Sequence, residues 1–185
     1  MPHRTLVPLL AFAACAVSVG FMITGSGASA TAGSVYVELD APRDAPPFRL
    51  QRLDGTVLNS RQLRGKIVVV DVWATWCGPC LTEIPGLNGV QTEYRTRGVE
   101  VIGVTVDSAS AEAIRTVAAE HFPVSYTLTL GTEAFEHSYG PLWALPTTFL
   151  IDQNWQVRKA WMGALPAKQA QLRTLIERLL ADAGD

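Results

Sequence analysis

Apolar and polar residues alternate through Phe48-Arg49-Leu50-Gln51-Arg52-Leu53, and Asp54-Gly55 then turns the chain back through Thr56-Val57-Leu58. That is a hairpin signal. After Leu63-Arg64-Gly65-Lys66 the run Ile67-Val68-Val69-Val70 opens a strand predicted over 67–73, its unbroken apolar character pointing to burial. A helix follows, with Pro85 inside it and Gly98 after it. Pro85 removes a hydrogen bond and predicts a kink or break. A second apolar strand is predicted over 99–106, a helix over 110–120 capped by Ser108 or Ser110, and a third strand over 126–130. This alternation implies a mostly parallel sheet. Beyond it the pattern predicts a short helix over 132–139, a hairpin of 147–151 with 157–161, and an amphipathic helix over 167–180. There is no internal repeat.

The N-terminal quarter reads differently. His3 and Arg4 precede an apolar stretch over 6–23 and small residues ending Ala28-Ser29-Ala30, the shape of a cleavable secretory signal. The stretch is also just long enough to span a bilayer, so a retained membrane anchor is the alternative, with Arg4 cytoplasmic in either case. Lipid attachment at Cys15, after Phe12-Ala13-Ala14, is a third reading. Residues 31–47 contain Gly, Ala and Pro without a sustained period and suit an extended linker. The organisation is therefore 1–30 signal or anchor, 31–47 linker and 48–185 one domain, expected outside the cytoplasm. Apolar residues make up 48% of the chain, enough for a core of that size. A net charge of -2 leaves no basic footprint, and no nucleic-acid partner is expected.

Cysteine usage concentrates the chemistry. Of three cysteines one is Cys15, so the soluble part holds only the pair in Trp76-Cys77-Gly78-Pro79-Cys80. At a strand-to-helix turn, Cys77 faces unpaired N–H groups and the positive end of the macrodipole, which favour its thiolate. Cys80 lies on the same helix face and is placed to attack a mixed disulfide formed on Cys77. Pro79 fits the first turn, where no N–H is needed. The other readings are a structural disulfide, which so short a loop makes weakly stabilising, and half of a zinc site. His121 and His137 have no ligand-like spacing with the pair. No metal and no cofactor is expected, since two sulfurs suffice to carry two electrons.

Three separated parts of the chain resemble the thioredoxin fold: 70–80 with the dithiol, Leu145-Pro146-Thr147-Thr148-Phe149-Leu150-Ile151-Asp152, and the element order between them. The leading hairpin, the approach Leu63-Arg64-Gly65-Lys66, Glu83 with Pro85 after the dithiol, and the export segment resemble more narrowly the TlpA and ResA-like extracytoplasmic thioredoxins. The resemblance implies an α/β thioredoxin-like fold with a central mixed sheet flanked by helices and an added N-terminal β-hairpin. It also implies a thiol-disulfide oxidoreductase that reduces disulfides in extracytoplasmic proteins, resupplied by a membrane electron donor of the DsbD/CcdA type, often for cytochrome c maturation. A thioredoxin-fold peroxidase and a Cu(I)-binding chaperone are the alternatives. Thr75 lacks the loop context of a peroxidase, and no third copper ligand is evident.

The same resemblance assigns roles. Pro146 matches the family's cis-proline, with Leu145, Trp76, Gly78 and Pro79 expected on the substrate side. A trans Pro at a strand start is the ordinary alternative. Asp71 matches the buried carboxylate that accepts the Cys80 proton, and Glu83 the glutamate that ResA-like proteins place near their cysteines. Otherwise Asp71 is an edge-strand acid and Glu83 a solvated charge on the helix face. Carrying both acids departs from either branch. Gly103 stands where thioredoxins have a lysine, so Asp71 is expected to lack that cationic partner and to have a higher pKa. Thr147 stands where the haem-ligation branch tends to have an acid. Trp76 is expected either to flank the dithiol at the surface or to be core, with Trp73 packed beneath.

Overall fold

The structure is a computed structural model, describing residues 42–121, 123–140 and 142–182. The signal, anchor and lipid readings fall outside the described residues. Eight strands form one sheet in the order β1-β8-β7-β4-β5-β6-β2-β3. They are β1 (Arg43–Asp44), β2 (Arg49–Arg52), β3 (Val57–Asn59), β4 (Ile67–Trp73), β5 (Val99–Thr105), β6 (Thr127–Leu130), β7 (Thr147–Ile151) and β8 (Gln156–Met162). The helices are α1 (Gly78–Tyr94), α2 (Ala111–His121), α3 (Glu133–Tyr139) and α4 (Lys168–Asp182).

Only β4 with β5 and β5 with β6 pair in parallel. The mostly parallel sheet expected from the alternation alone is therefore corrected, and the mixed sheet implied by the resemblance is the one observed. Its second half is built from the hairpin β7–β8, whose tight connection can join antiparallel strands only, and β7 docks antiparallel on β4. The leading hairpin joins the opposite side through β2 on β6. Residues 43–44, inside the stretch read as linker, add β1 to the edge of β8. Two residues are too few to show a period.

Strand β4 is buried throughout, and its pleat separates two cores. Val68, Val70 and Val72 point to the side where Phe48, Leu50 and Leu58 pack with Phe135 and Tyr139 of α3. Ile67 and Val69 point to the other side, covered by Leu87 and Val90 of α1 and Leu172, Ile176 and Leu179 of α4. By the same alternation Asp71 faces α1 and α4. This parity decides which side chains reach it.

Helix α1 runs through Pro85 without the predicted break. Buried Ile84 and Leu87 on either side of the ring tie both halves of the helix to the core, and this packing overrides the lost hydrogen bond. Ser110 caps α2, its Oγ accepting from the Ala113 N–H at 3.2 Å.

Candidate active site

The dithiol follows the C-terminal end of β4, the end of a parallel strand at which open α/β sheets place their sites. Cys77 is the N-cap of α1, with Gly78 and Pro79 in its first turn. The Cys80 N–H donates to Cys77 Sγ at 3.3 Å, so an orphan helix donor is aimed at this sulfur and would favour its thiolate. Cys77 and Cys80 are joined as a disulfide. The preceding loop is pinned by Asp107, whose Oδ2 accepts from the Thr75 N–H at 2.6 Å and from Thr75 Oγ1 at 2.8 Å. Asp107 went unnoticed in the sequence because it lies beyond β5, next door only once the parallel pair has formed.

Cys77 opens onto a groove of about 580 Å³ lined by Trp76, Gly78, Pro79, Val106, Trp143 and Leu145, among others. Trp76 is 73% exposed and Trp143 is 74% exposed. Trp76 thus flanks the pair at the surface, whereas Trp73 is buried in the cluster beneath it. The Leu145–Pro146 bond is cis. Pro146 itself is buried behind the groove, and Leu145 takes the lining position. Both cysteines are largely covered, Cys77 at 5% and Cys80 at 1% exposed, and of the two Cys77 lines the groove.

Side chains of β4, β7, α1 and α4 join in a buried polar network. Register places Asp71 opposite Gly103 on β5 and Thr148 on β7. Thr148 Oγ1 donates to Asp71 Oδ1 at 2.7 Å and accepts from Lys168 Nζ at 2.9 Å. Lys168, fully buried, also forms an ion pair with Glu83 Oε2. Asp71 thus lacks a lysine at 103, as expected, but a different cation, Lys168, stands one hydroxyl away. A side chain at 103 has no room, because its Cβ would come within 2.6 Å of Leu128 Cδ2 and 3.2 Å of Trp73 Nε1 and Tyr126 Cε2. The cation is delivered instead by α4. Glu83 is likewise no solvated face charge, its side chain being only 12% exposed.

Burial raises the Asp71 carboxyl above the usual range, while the Lys168 charge and the Thr148 hydrogen bond oppose that rise. Burial likewise pushes Glu83 up to about 7, against Lys168 and with help from the Asp71 charge. One sequence signal for Lys168 existed. It sits in the first turn of α4, where a cation opposes the macrodipole, and in line with the buried stripe Leu172, Ile176 and Leu179.

Gly103→Lys, which restores the thioredoxin residue, should destabilise the protein by about 1–3 kcal/mol through overpacking, as read by urea denaturation. A variant as stable as wild type would show that Trp73, Tyr126 and Leu128 yield easily. Because the folded state holds the Glu83 proton more tightly than the unfolded chain, stability should fall as pH rises from about 4.5 to about 7. Glu83→Gln should flatten that slope, and an unchanged slope would place the titration elsewhere.

The chain matches the Redoxin family over residues 41–176. The thiol-disulfide oxidoreductase ResA of Bacillus cereus is 33% identical over 135 residues, 70% of this chain and 73% of that protein. ResA of Geobacillus thermodenitrificans is 34% identical over 122 residues, 65% of this chain and 68% of the relative. Among solved structures, one assigned as the thiol:disulfide interchange protein DsbE from Chlorobium tepidum superposes with a TM-score of 0.69 at 32% identity, covering 77% of this chain and 99% of the other. A secreted thiol-disulfide isomerase from Corynebacterium glutamicum, at 19% identity and TM-score 0.69 over 82% of this chain and 95% of the other, shares the fold. With a dithiol capping a helix after the central strand, this chain belongs to the Redoxin family as a ResA-like thiol-disulfide oxidoreductase of the thioredoxin fold.

Proposed function

We propose that the protein acts outside the cytoplasm as a reductase, passing two electrons from Cys77 and Cys80 to disulfides of exported partner proteins. A membrane donor of the DsbD/CcdA type then reduces it again. The observation that carries this reading is the asymmetry of the pair: Cys77 lines an open apolar groove, while Cys80 is turned away from it. A partner disulfide can therefore meet one sulfur only. Exposed Trp76 and Trp143 supply apolar area beside that sulfur, as protein docking requires. The apolar stretch over 6–23 supports export.

Reduction rather than oxidation is supported by Gly78-Pro79, the dipeptide of reducing members of the fold. The potential is expected nearer thioredoxin's value of about -270 mV than the value of about -120 mV of a strong oxidant. Cytochrome c maturation is one use that fits. Thr147, buried and bonded through Oγ1 to the Ala144 carbonyl at 2.6 Å, favours a broader partner range, since the haem-ligation branch tends to have an acid there.

The test uses the full chain with Cys80→Ala in cells, asking whether its disulfide-linked partners are exported proteins and whether external protease reaches it once the outer barrier is opened. Cytoplasmic partners and full protection would refute the location. In vitro, Trp143→Ala should raise KM for a disulfide-bonded protein by about tenfold or more, yet leave the rate with a small disulfide unchanged. An equal effect on both substrates would make Trp143 part of the chemistry instead of the docking surface.

A further inference from the structure

We propose that Lys168 is a positioning residue of the exchange reaction: its ammonium holds Glu83 and, through Thr148, Asp71, and keeps an ionised carboxylate ready to accept the Cys80 proton. This rests on the reading of Cys77 as attacking thiol and Cys80 as resolving thiol.

The geometry is specific. Lys168 is fully buried, yet it heads a helix whose remaining buried positions Leu172, Ile176 and Leu179 are apolar. Its Nζ meets Glu83 Oε2 from α1 and Thr148 Oγ1 from β7. Thr148 uses its hydroxyl once in each direction, accepting from Lys168 and donating to Asp71. The titratable groups on which this cation acts are Asp71 from β4 and Glu83 from α1, and Tyr126, ahead of β6, is held protonated by burial and by the charges of both acids. Among the described residues, Lys168 is the cation whose charge acts on both acids.

Two carboxyl groups sharing a buried site resist ionising together, so without a cation the pair keeps a proton. Burial also disfavours charge on the second carboxyl, so without Lys168 that group too ionises only at higher pH and fewer molecules near neutral pH can take the proton of Cys80. The Lys168 charge lowers the pKa of both acids and so favours their ionised forms.

Cys77 thiolate attacks a partner disulfide, forming a mixed disulfide and releasing one partner thiolate, which takes a proton from water. Cys80 then gives its proton to the carboxylate and attacks Cys77 Sγ. The Cys77–Cys80 bond forms, the mixed disulfide breaks, and the second partner thiolate leaves to be protonated, finally by the carboxylic acid. The dithiol loses two electrons and the partner disulfide gains them.

The experiment follows resolution of a preformed mixed disulfide on Cys77 against pH, in wild type, Lys168→Met and Lys168→Gln. Gln retains hydrogen bonding without charge and serves if Met impairs folding. Both substitutions should move the midpoint of the profile to higher pH by about one unit or more and slow the step at pH 7 by about tenfold. Denaturant midpoints are measured alongside. A slower step with an unshifted midpoint would make Lys168 a structural residue and overturn the proposal. A flat wild-type profile would instead overturn the carboxylate relay itself, and resolution without Cys80 would overturn the assignment of the two thiols.

Discussion

Cys77→Ala is expected to abolish disulfide reduction, whereas Cys80→Ala should consume substrate once and halt as a covalent complex. The difference follows from where the fold places the two sulfurs. Cys77 caps α1, receives the Cys80 N–H and lines the groove, so attack on an incoming disulfide starts there. Cys80 is 1% exposed and does not line the groove, so it is placed to reach a mixed disulfide on Cys77 from behind. Without Cys77 no thiolate meets the substrate; without Cys80 nothing displaces the partner from Cys77. Non-reducing electrophoresis with mass spectrometry distinguishes the outcomes. Comparable covalent complexes in both variants would show that either sulfur can attack and would remove the basis for the assigned order.

The second large effect concerns the two acids. Glu83→Gln should slow resolution at pH 7 by about a hundredfold, within the range of a lost general acid–base group. It should also erase the step near pH 7 in the profile, because Glu83 is the carboxyl raised into that range. Asp71→Asn should act differently. The Asp71 charge is one of the causes that raise Glu83, so removing it lets Glu83 ionise at lower pH and shifts the step below 7. Loss of the Lys168 charge has the opposite sign. Single-turnover pH profiles of the two carboxylate variants test this directly. A step near 7 that survives Glu83→Gln and vanishes in Asp71→Asn would make Asp71 the relay and Glu83 a structural partner of Lys168.

The elements that carry the dithiol were legible because each rests on a local signal. The apolar run at 67–70 reads as a buried strand, Cys77-Gly78-Pro79-Cys80 reads as a helix start, and Thr132 caps α3 through the Phe135 N–H at 3.1 Å. Asp71 was conspicuous as an acid inside an apolar strand. What escaped depends on tertiary proximity. Lys168 lies 97 positions beyond Asp71 in the chain, and only the docking of α4 on the face that carries Ile67 and Val69 brings it within reach. Gly103 was read as the loss of a cation, although it marks the space taken by Trp73, Tyr126 and Leu128. Trp143 carries no motif, and its exposure beside Cys77 depends on the loop before Pro146. The alternation of strands and helices alone does not reveal where the last hairpin docks, and the mixed character of the sheet came from the resemblance instead.

The central claim is that Cys77 and Cys80 together pass two electrons to a protein disulfide. Its most direct test is a single turnover of the fully reduced protein with a small disulfide-bonded protein, scored by alkylation and mass spectrometry on both sides. The expected result is one substrate disulfide opened for each Cys77–Cys80 bond formed, with a transient mixed disulfide on Cys77 alone. Substrate left oxidised while the dithiol stays reduced, or a lasting adduct on Cys80, would contradict it.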